Sequence, residues 1–125
     1  MPARVLVVDD ISANVRLLQA KLESEYFSVV TASSGFEALE VVASAKPDIV
    51  LLDVMMPGMD GFEVCIRMKA DAATAHIPVI LVTALSEQEF RLQGLAAGAD
   101  DFLTKPVDNL ALFARVRSLV RVKQM

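Results

Sequence analysis

Side chains that can do polar chemistry stand at the ends of four short apolar runs in this sequence. Asp9 and Asp10 follow the first of these runs, Asp53 and Thr83 end two others, and Lys105 follows the last. If the runs are parallel strands of one sheet, their carboxyl ends meet at one edge, where ligands bind in open α/β sheets. Three carboxylates, a hydroxyl and an ammonium on four separate strand ends indicate a functional site.

The types of these side chains predict a particular chemistry. Three close carboxylates repel one another unless a cation intervenes, and hard oxygen ligands with room for water suit Mg²⁺. The hydroxyl of Thr83 and the ammonium of Lys105 are groups that a phosphoryl group would need. Asp53, held between a metal ion and Lys105, is then the predicted nucleophile and would form an aspartyl phosphate.

Five β-rich runs alternate with five segments of helical periodicity, joined by short connections. The second helix is predicted to carry Phe36, Leu39, Val42 and Ala43 on one face. The predicted strands cover 4–8, 28–32, 49–53, 79–83 and 101–104. The first predicted helix has Ser12 as its N-cap, the second follows the turn at 33–35, and the third begins at Phe62. The fourth begins at a capping box of Ser86 and Glu89, and the fifth begins at Asp108 or Asn109.

This alternation predicts a doubly wound, five-stranded parallel sheet with helices on both faces, a flavodoxin-like three-layer α/β sandwich. The strand order 2-1-3-4-5 has its switch point between the first and third strands. Those strands end in Asp9-Asp10 and in Asp53, so the predicted switch point, where ligands bind in such folds, coincides with the position of the acidic residues. Four methionines, which are Met55, Met56, Met59 and Met68, are interpreted as loop and core packing.

Composition favours one domain over residues 1–125 in a reducing cytoplasm. The chain has 125 residues and a single cysteine, Cys65, which excludes an internal disulfide. A net charge of −4 argues against direct nucleic-acid binding, and no apolar run is long enough to span a bilayer. The cations Arg115, Arg117, Arg121 and Lys123 are interpreted as a solvated helix face.

Four stretches, VLVVDD, DIVLLDVMMPGMDGFEV, PVILVTA and DFLTKP, resemble in order and spacing the receiver domains of two-component response regulators. The resemblance covers nearly the whole chain. It implies Asp53 as phosphoacceptor, Asp10 as a direct Mg²⁺ ligand, Asp9 acting nearby through water, and the backbone carbonyl of Met55 as a further ligand. It also implies that Thr83 and Lys105 contact the phosphoryl group.

The same resemblance implies a cis peptide bond between Lys105 and Pro106, and a switch that couples Thr83 to Phe102. Phosphate would come from a histidine kinase or phosphotransfer protein, and the surface around the fourth helix, fifth strand and fifth helix would rearrange. Self-association, as a homodimer on phosphorylation, is a further family-based expectation. Apolar Met55 and Leu85 would not orient an attacking water, which predicts slow loss of the phosphate.

More narrowly, DDISANVRLLQAKL, DVMMPGMDGF and LFARVRSLVR are similar to the first receiver domain of PleD-type diguanylate cyclases. In that family a second receiver-like domain and a GGDEF cyclase domain follow. No GGDEF sequence occurs in these 125 residues. We therefore expect a receiver excised from a longer protein, with a covalently linked output domain and no enzymatic activity beyond accepting phosphate.

The sequence also bears on three other functions. An aspartate-nucleophile phosphatase would place a second Asp two residues after Asp53, where this chain has Met55. A flavin or nucleotide module is disfavoured because the chain lacks GxGxxG and GxxxxGK[ST] motifs, and because Asp9-Asp10 would repel a phosphate. A receiver-fold docking domain that works without phosphorylation stays open, although the complete set of acids, Thr83 and Lys105 disfavours it.

Overall fold

Five parallel strands form one sheet in the predicted order β2-β1-β3-β4-β5. The computed structural model describes residues 2–84 and 88–124, with the side chains of residues 89 and 122–124 left out. The strands are β1 (Arg4–Val8), β2 (Ser28–Ala32), β3 (Ile49–Asp53), β4 (Val79–Thr83) and β5 (Asp101–Thr104). Neighbouring strands pair in parallel throughout. The predicted strand bounds and topology are confirmed.

Five helices cover the two faces of the sheet. They are α1 (Ser12–Ser24), α2 (Gly35–Ala45), α3 (Gly61–Ala70), α4 (Gln88–Ala97) and α5 (Asn109–Gln124). Successive strand residues point to opposite faces, so Leu6 packs with α2, α3 and α4 whereas Val7 packs with α1 and α5. Burial on both faces explains why the central strands are continuous apolar runs.

Close approach of α3 to β3 fixes the chain beyond Asp53. A Cβ built on Gly61 would lie 2.9 Å from Val54 Cα and 3.0 Å from the carbonyl carbon of Asp53. Asp60 caps α3, since its side chain accepts a hydrogen bond from the backbone N–H of Glu63 at 2.9 Å. The Asp60-Gly61 pair therefore starts the helix, one residue before the predicted start at Phe62.

The prediction that Ser12 caps α1 is wrong. Ile11 holds the N-cap position without a side-chain cap, and Ser12 is already helical. The carboxylate of Asp9 instead accepts the backbone N–H of Ile11 at 2.9 Å. At the other end of the chain, Asp108 accepts the N–H of Ala111 at 2.9 Å and caps α5, one of the two predicted alternatives.

The predicted apolar face of α2 is only partly buried in the structure. Phe36 is 60% exposed and Ala43 is also exposed, whereas Ala38 and Val42 are buried. The cause lies at Gly35, where an added Cβ would lie 2.8 Å from the carbonyl oxygen of Met59. Gly35, Ala38 and Val42 lie at helical spacing and are buried, so this face of α2 meets the core and Phe36 faces outward.

The predicted capping box at Ser86 and Glu89 lies outside the described residues. Within the described ranges, no helix has both the length and the apolar character needed to cross a membrane.

Candidate functional site

The site lies where the central strands β1 and β3 end. Asp53 is the last residue of β3 and is 5% exposed, because β1 and β4 flank the strand and α3 begins against it. Asp9 directly follows β1 and is 2% exposed, whereas Asp10 is exposed. One carboxylate oxygen from each of the three residues lies within 4.8 Å of the others. The topology thus brings the three predicted acids together.

Lys105 joins this cluster from the end of β5. Its Nζ donates to Asp9 Oδ2 at 3.1 Å and to Asp53 Oδ1 at 3.3 Å, so one half-buried ammonium bridges two buried carboxylates. The backbone N–H of Lys105 donates to the carbonyl of Thr83 at 2.8 Å. The peptide bond between Lys105 and Pro106 is cis, as the resemblance implied.

Asn14 belongs to the site, whereas the sequence alone left open whether it is a helix-start residue or part of the rim near the site. Its Nδ2 donates to Asp9 Oδ2 at 3.1 Å from the first turn of α1. Asp9 therefore accepts from Ile11 N on one oxygen and from Asn14 and Lys105 on the other. A polar residue in the first helical turn after an Asp-Asp pair was the available signal, but its contact depends on how that turn packs.

The electrostatics of the site favour an additional cation. Burial raises the pKa of Asp53, and the negative charges of Asp9 and Asp10 raise it further against the lowering effect of Lys105. Burial alone would lower the pKa of Lys105, but hydrogen bonds and charge from Asp9 and Asp53 outweigh it and leave that pKa raised. Lys105 stays charged at neutral pH, and it does not fully offset the three acids.

The donor set fits Mg²⁺. Hard carboxylate oxygens converge on one point, and Asp10 is open to solvent, which leaves room for the water molecules that Mg²⁺ keeps. Burial and then the charges of Asp9 and Asp10 raise the pKa of Asp53, and a divalent cation beside this carboxylate would favour its ionised form. Among the described residues, these three acids form the group able to hold a metal ion.

Thr83 and Phe102 belong to β4 and β5, the two strands that follow β3 in the sheet order. Thr83 ends β4, which lies between β3 and β5, and is 3% exposed. Phe102 on β5 is half-buried, and its ring fills the space where a side chain on Gly94 of α4 would stand. The ring of Phe102 therefore packs against α4, on the surface that the resemblance links to switching.

Met55 lies two residues beyond Asp53. Its side chain is 61% exposed, which corrects the prediction that it packs in the loop or core, whereas Met56, Met59 and Met68 are buried as predicted. A thioether supplies no acid or base at this position. Leu85, the other apolar residue expected near the phosphate, lies outside the described residues.

A five-stranded sheet in this order, with acids and a lysine at its carboxyl edge, defines a receiver domain. Residues 5–117 match the response regulator receiver domain family, and the chain belongs to that family. It is similar to the response regulator PleD of Caulobacter vibrioides, with 63% identity over 123 residues and 98% of this chain covered.

Two other relatives show the breadth of the family. The DNA-binding dual master transcriptional regulator RpaA of Synechocystis is 42% identical over 118 residues, which cover 94% of this chain and 49% of RpaA. The structure of the Vibrio cholerae chemotaxis protein CheY4 matches with a TM-score of 0.90 and 29% identity, covering 95% of this chain and 99% of that one. The chain spans 27% of PleD and about half of RpaA.

Proposed function

We propose that this receiver domain accepts a phosphoryl group on Asp53 in a reaction that requires Mg²⁺. The observation that carries the proposal is the bridge from Lys105 Nζ to Asp53 Oδ1, 3.3 Å long, beside the oxygens of Asp9 and Asp10. A buried carboxylate next to both a fixed cation and a set of metal ligands is a nucleophile whose reaction with a phosphate can be stabilised electrostatically.

The reaction is a phosphoryl transfer from a phosphohistidine. A carboxylate oxygen of Asp53 forms the new bond to phosphorus as the phosphorus–nitrogen bond breaks, and the imidazole leaves with its electron pair and takes a proton from solvent. Bound Mg²⁺, held by Asp10, Asp53 and the carbonyl of Met55 with Asp9 nearby, would neutralise charge on the phosphoryl oxygens. Lys105 and the hydroxyl of Thr83 would contact the same oxygens.

The partner that supplies phosphate would dock beside the site. A cleft of about 210 Å³ runs between α1 and the connection from β5 to α5. Its lining includes Lys105 and Pro106 at the site and, on α1, Asn14, Leu17, Leu18 and Lys21. This surface suits an apolar helix face of a cytoplasmic histidine kinase or phosphotransfer protein.

The output of phosphorylation would be a rearranged surface. Added negative charge at Asp53 would draw in Thr83, and Phe102 would follow by packing, which biases α4, β5 and α5 toward a second arrangement. We infer that this surface controls dimerisation or a linked output domain. Because the chain spans only 27% of PleD, a GGDEF cyclase as that output is a proposal about a longer protein.

The experiment is intact-mass spectrometry after incubation with acetyl phosphate. We expect wild type with Mg²⁺ to gain one phosphoryl mass, and EDTA or Asp53→Asn to abolish the gain. Asp71→Asn is the matched control, since Asp71 is exposed and follows α3 at the opposite edge of the sheet. No adduct in wild type from acetyl phosphate or a phosphohistidine donor would overturn the proposal and favour a docking domain.

A further inference from the structure

The hydrogen bonds of Asp9 limit what this carboxylate can offer to a metal ion. A carboxylate has about four acceptor positions. Three of them on Asp9 are taken by the described residues Ile11, Asn14 and Lys105 at 2.9–3.1 Å. Asp10 lies beside it exposed and accepts no hydrogen bond from the part of the chain that the structure describes.

Asn14 differs from the other two donors to Asp9. The N–H of Ile11 belongs to the backbone, and Lys105 also bonds to Asp53, so its ammonium is shared with the reacting group. Asn14 is a neutral side chain that bonds to Oδ2 of Asp9 and adds no positive charge to repel a cation. Because its partner is a carboxylate, which only accepts, the amide must present its NH₂ group to Asp9.

We propose that Asn14 is a specificity-determining residue that makes this site select Mg²⁺ over Ca²⁺ by holding Asp9 out of direct coordination. The inference rests on the proposed function. Mg²⁺ keeps several waters and takes few protein ligands, whereas Ca²⁺ takes six to eight oxygens in flexible geometry. An extra carboxylate oxygen therefore benefits Ca²⁺ more than Mg²⁺, and Asn14 withholds that oxygen.

The site has the other features that this role requires. Asp9 is 2% exposed, so its carboxylate cannot turn to bulk water when a donor is lost. Loss of Asn14 opens one acceptor position on Oδ2, which Lys105 still contacts, and one carboxylate oxygen of Asp9 lies within 4.8 Å of oxygens of Asp10 and Asp53. Asn14 is half-buried where α1 meets the site. Partners of metal-ligating groups commonly change metal affinity 10–100-fold when removed.

The test is calorimetric titration of the unphosphorylated protein with Mg²⁺ alone and Ca²⁺ alone. We expect Asn14→Leu, which keeps the branching at Cγ but removes the donor, to shift the ratio of the two dissociation constants about tenfold toward Ca²⁺. Gln19→Leu is the matched control. Gln19 is another neutral amide of α1, and it donates to Glu23 at 3.4 Å instead of to the site.

A double-mutant cycle separates this role from a structural one. In an Asp9→Ala background, Asn14→Leu must leave the ratio unchanged, because the residue through which it acts is gone. An unchanged ratio in the single variant, or an equal shift in the Asp9→Ala background, overturns the inference. If wild type binds neither cation, the metal requirement of the proposed function fails as well. If the ratio fails in either of these ways while wild type still binds Mg²⁺ and takes up phosphate, the role of Asn14 is wrong and the proposed function stands. Should Asp9→Ala not fold, Asp9→Leu, which also removes both carboxylate oxygens, replaces it.

Discussion

Lys105 reaches across the end of β4 to contact Asp53, with Nζ 3.3 Å from Oδ1. The two residues lie 52 positions apart in sequence, at the ends of strands that are not neighbours in the sheet. Thr83, which ends the intervening strand, lies between them in strand order. The cation, the hydroxyl and the predicted nucleophile are therefore placed side by side by the strand order alone.

The raised pKa of Asp53 predicts that Asp53→Asn stabilises the metal-free protein. In the unfolded chain this carboxyl titrates near 3.8, and burial with Asp9 nearby raises its pKa in the folded state. The folded state therefore holds the proton more readily, so Asp53 lowers stability as pH rises from 3.8 through the folded-state pKa. At pH 7 we expect the variant to gain about 0.5–2 kcal/mol.

Urea unfolding in EDTA at pH 4 and at pH 7 checks this sign. The difference in unfolding free energy between the variant and wild type should be small at the lower pH and larger at the higher one. A variant less stable than wild type at pH 7 would mean that the pairing of Asp53 with Lys105 outweighs its burial.

Magnesium should stabilise the folded protein through Asp10. At a concentration 100 times its dissociation constant, a ligand that binds only the folded state adds about 2.7 kcal/mol. We expect Asp10→Asn, measured by thermal unfolding at the same concentration, to retain less than about 1.4 kcal/mol because its affinity falls at least tenfold. Asp71→Asn should keep the full gain, and equal losses in both variants would refute a local role for Asp10.

Gly61 should be required for metal binding as well as for stability. An added methyl group would press on Val54 and on the carbonyl carbon of Asp53, so we expect Gly61→Ala to cost about 1–3 kcal/mol and to weaken Mg²⁺ binding. The control is Gly98→Ala, at the opposite edge of the sheet. Gly98 has φ +96°, so this change is also destabilising. Wild-type Mg²⁺ affinity in Gly61→Ala, measured by calorimetry, would contradict the argument.

The close contact between Phe102 and Gly94 predicts that the effect of Gly94→Ala on stability changes sign when the ring of Phe102 is removed. Alanine is favoured over glycine in a helix by about 1 kcal/mol, yet a Cβ at position 94 would stand 2.7 Å from Phe102 Cε1. We expect Gly94→Ala to destabilise wild type by about 1–3 kcal/mol and to be neutral or stabilising in a Phe102→Ala background. Equal effects in both backgrounds, by urea unfolding, would exclude this contact as the cause.

The strand ends and the sheet order could be predicted because each depends on local pattern and on general rules of topology. Buried strands read as apolar runs, and parallel order places their carboxyl ends together. The bond from Asn14 to Asp9 could not be predicted, because it depends on how the first turn of α1 meets β1. The outward direction of Phe36 likewise follows from a tertiary contact at Gly35 that helical periodicity does not contain.

The most direct test of the central claim is to locate the phosphoryl group. Borohydride reduces an acyl phosphate to an alcohol, so trapping after incubation with acetyl phosphate and Mg²⁺ converts the modified aspartate to homoserine. Peptide mass spectrometry should find homoserine at position 53, dependent on Mg²⁺ and absent without phosphodonor. Homoserine at position 9, 10 or 60 with none at 53 would contradict the assignment of Asp53 as the phosphoacceptor.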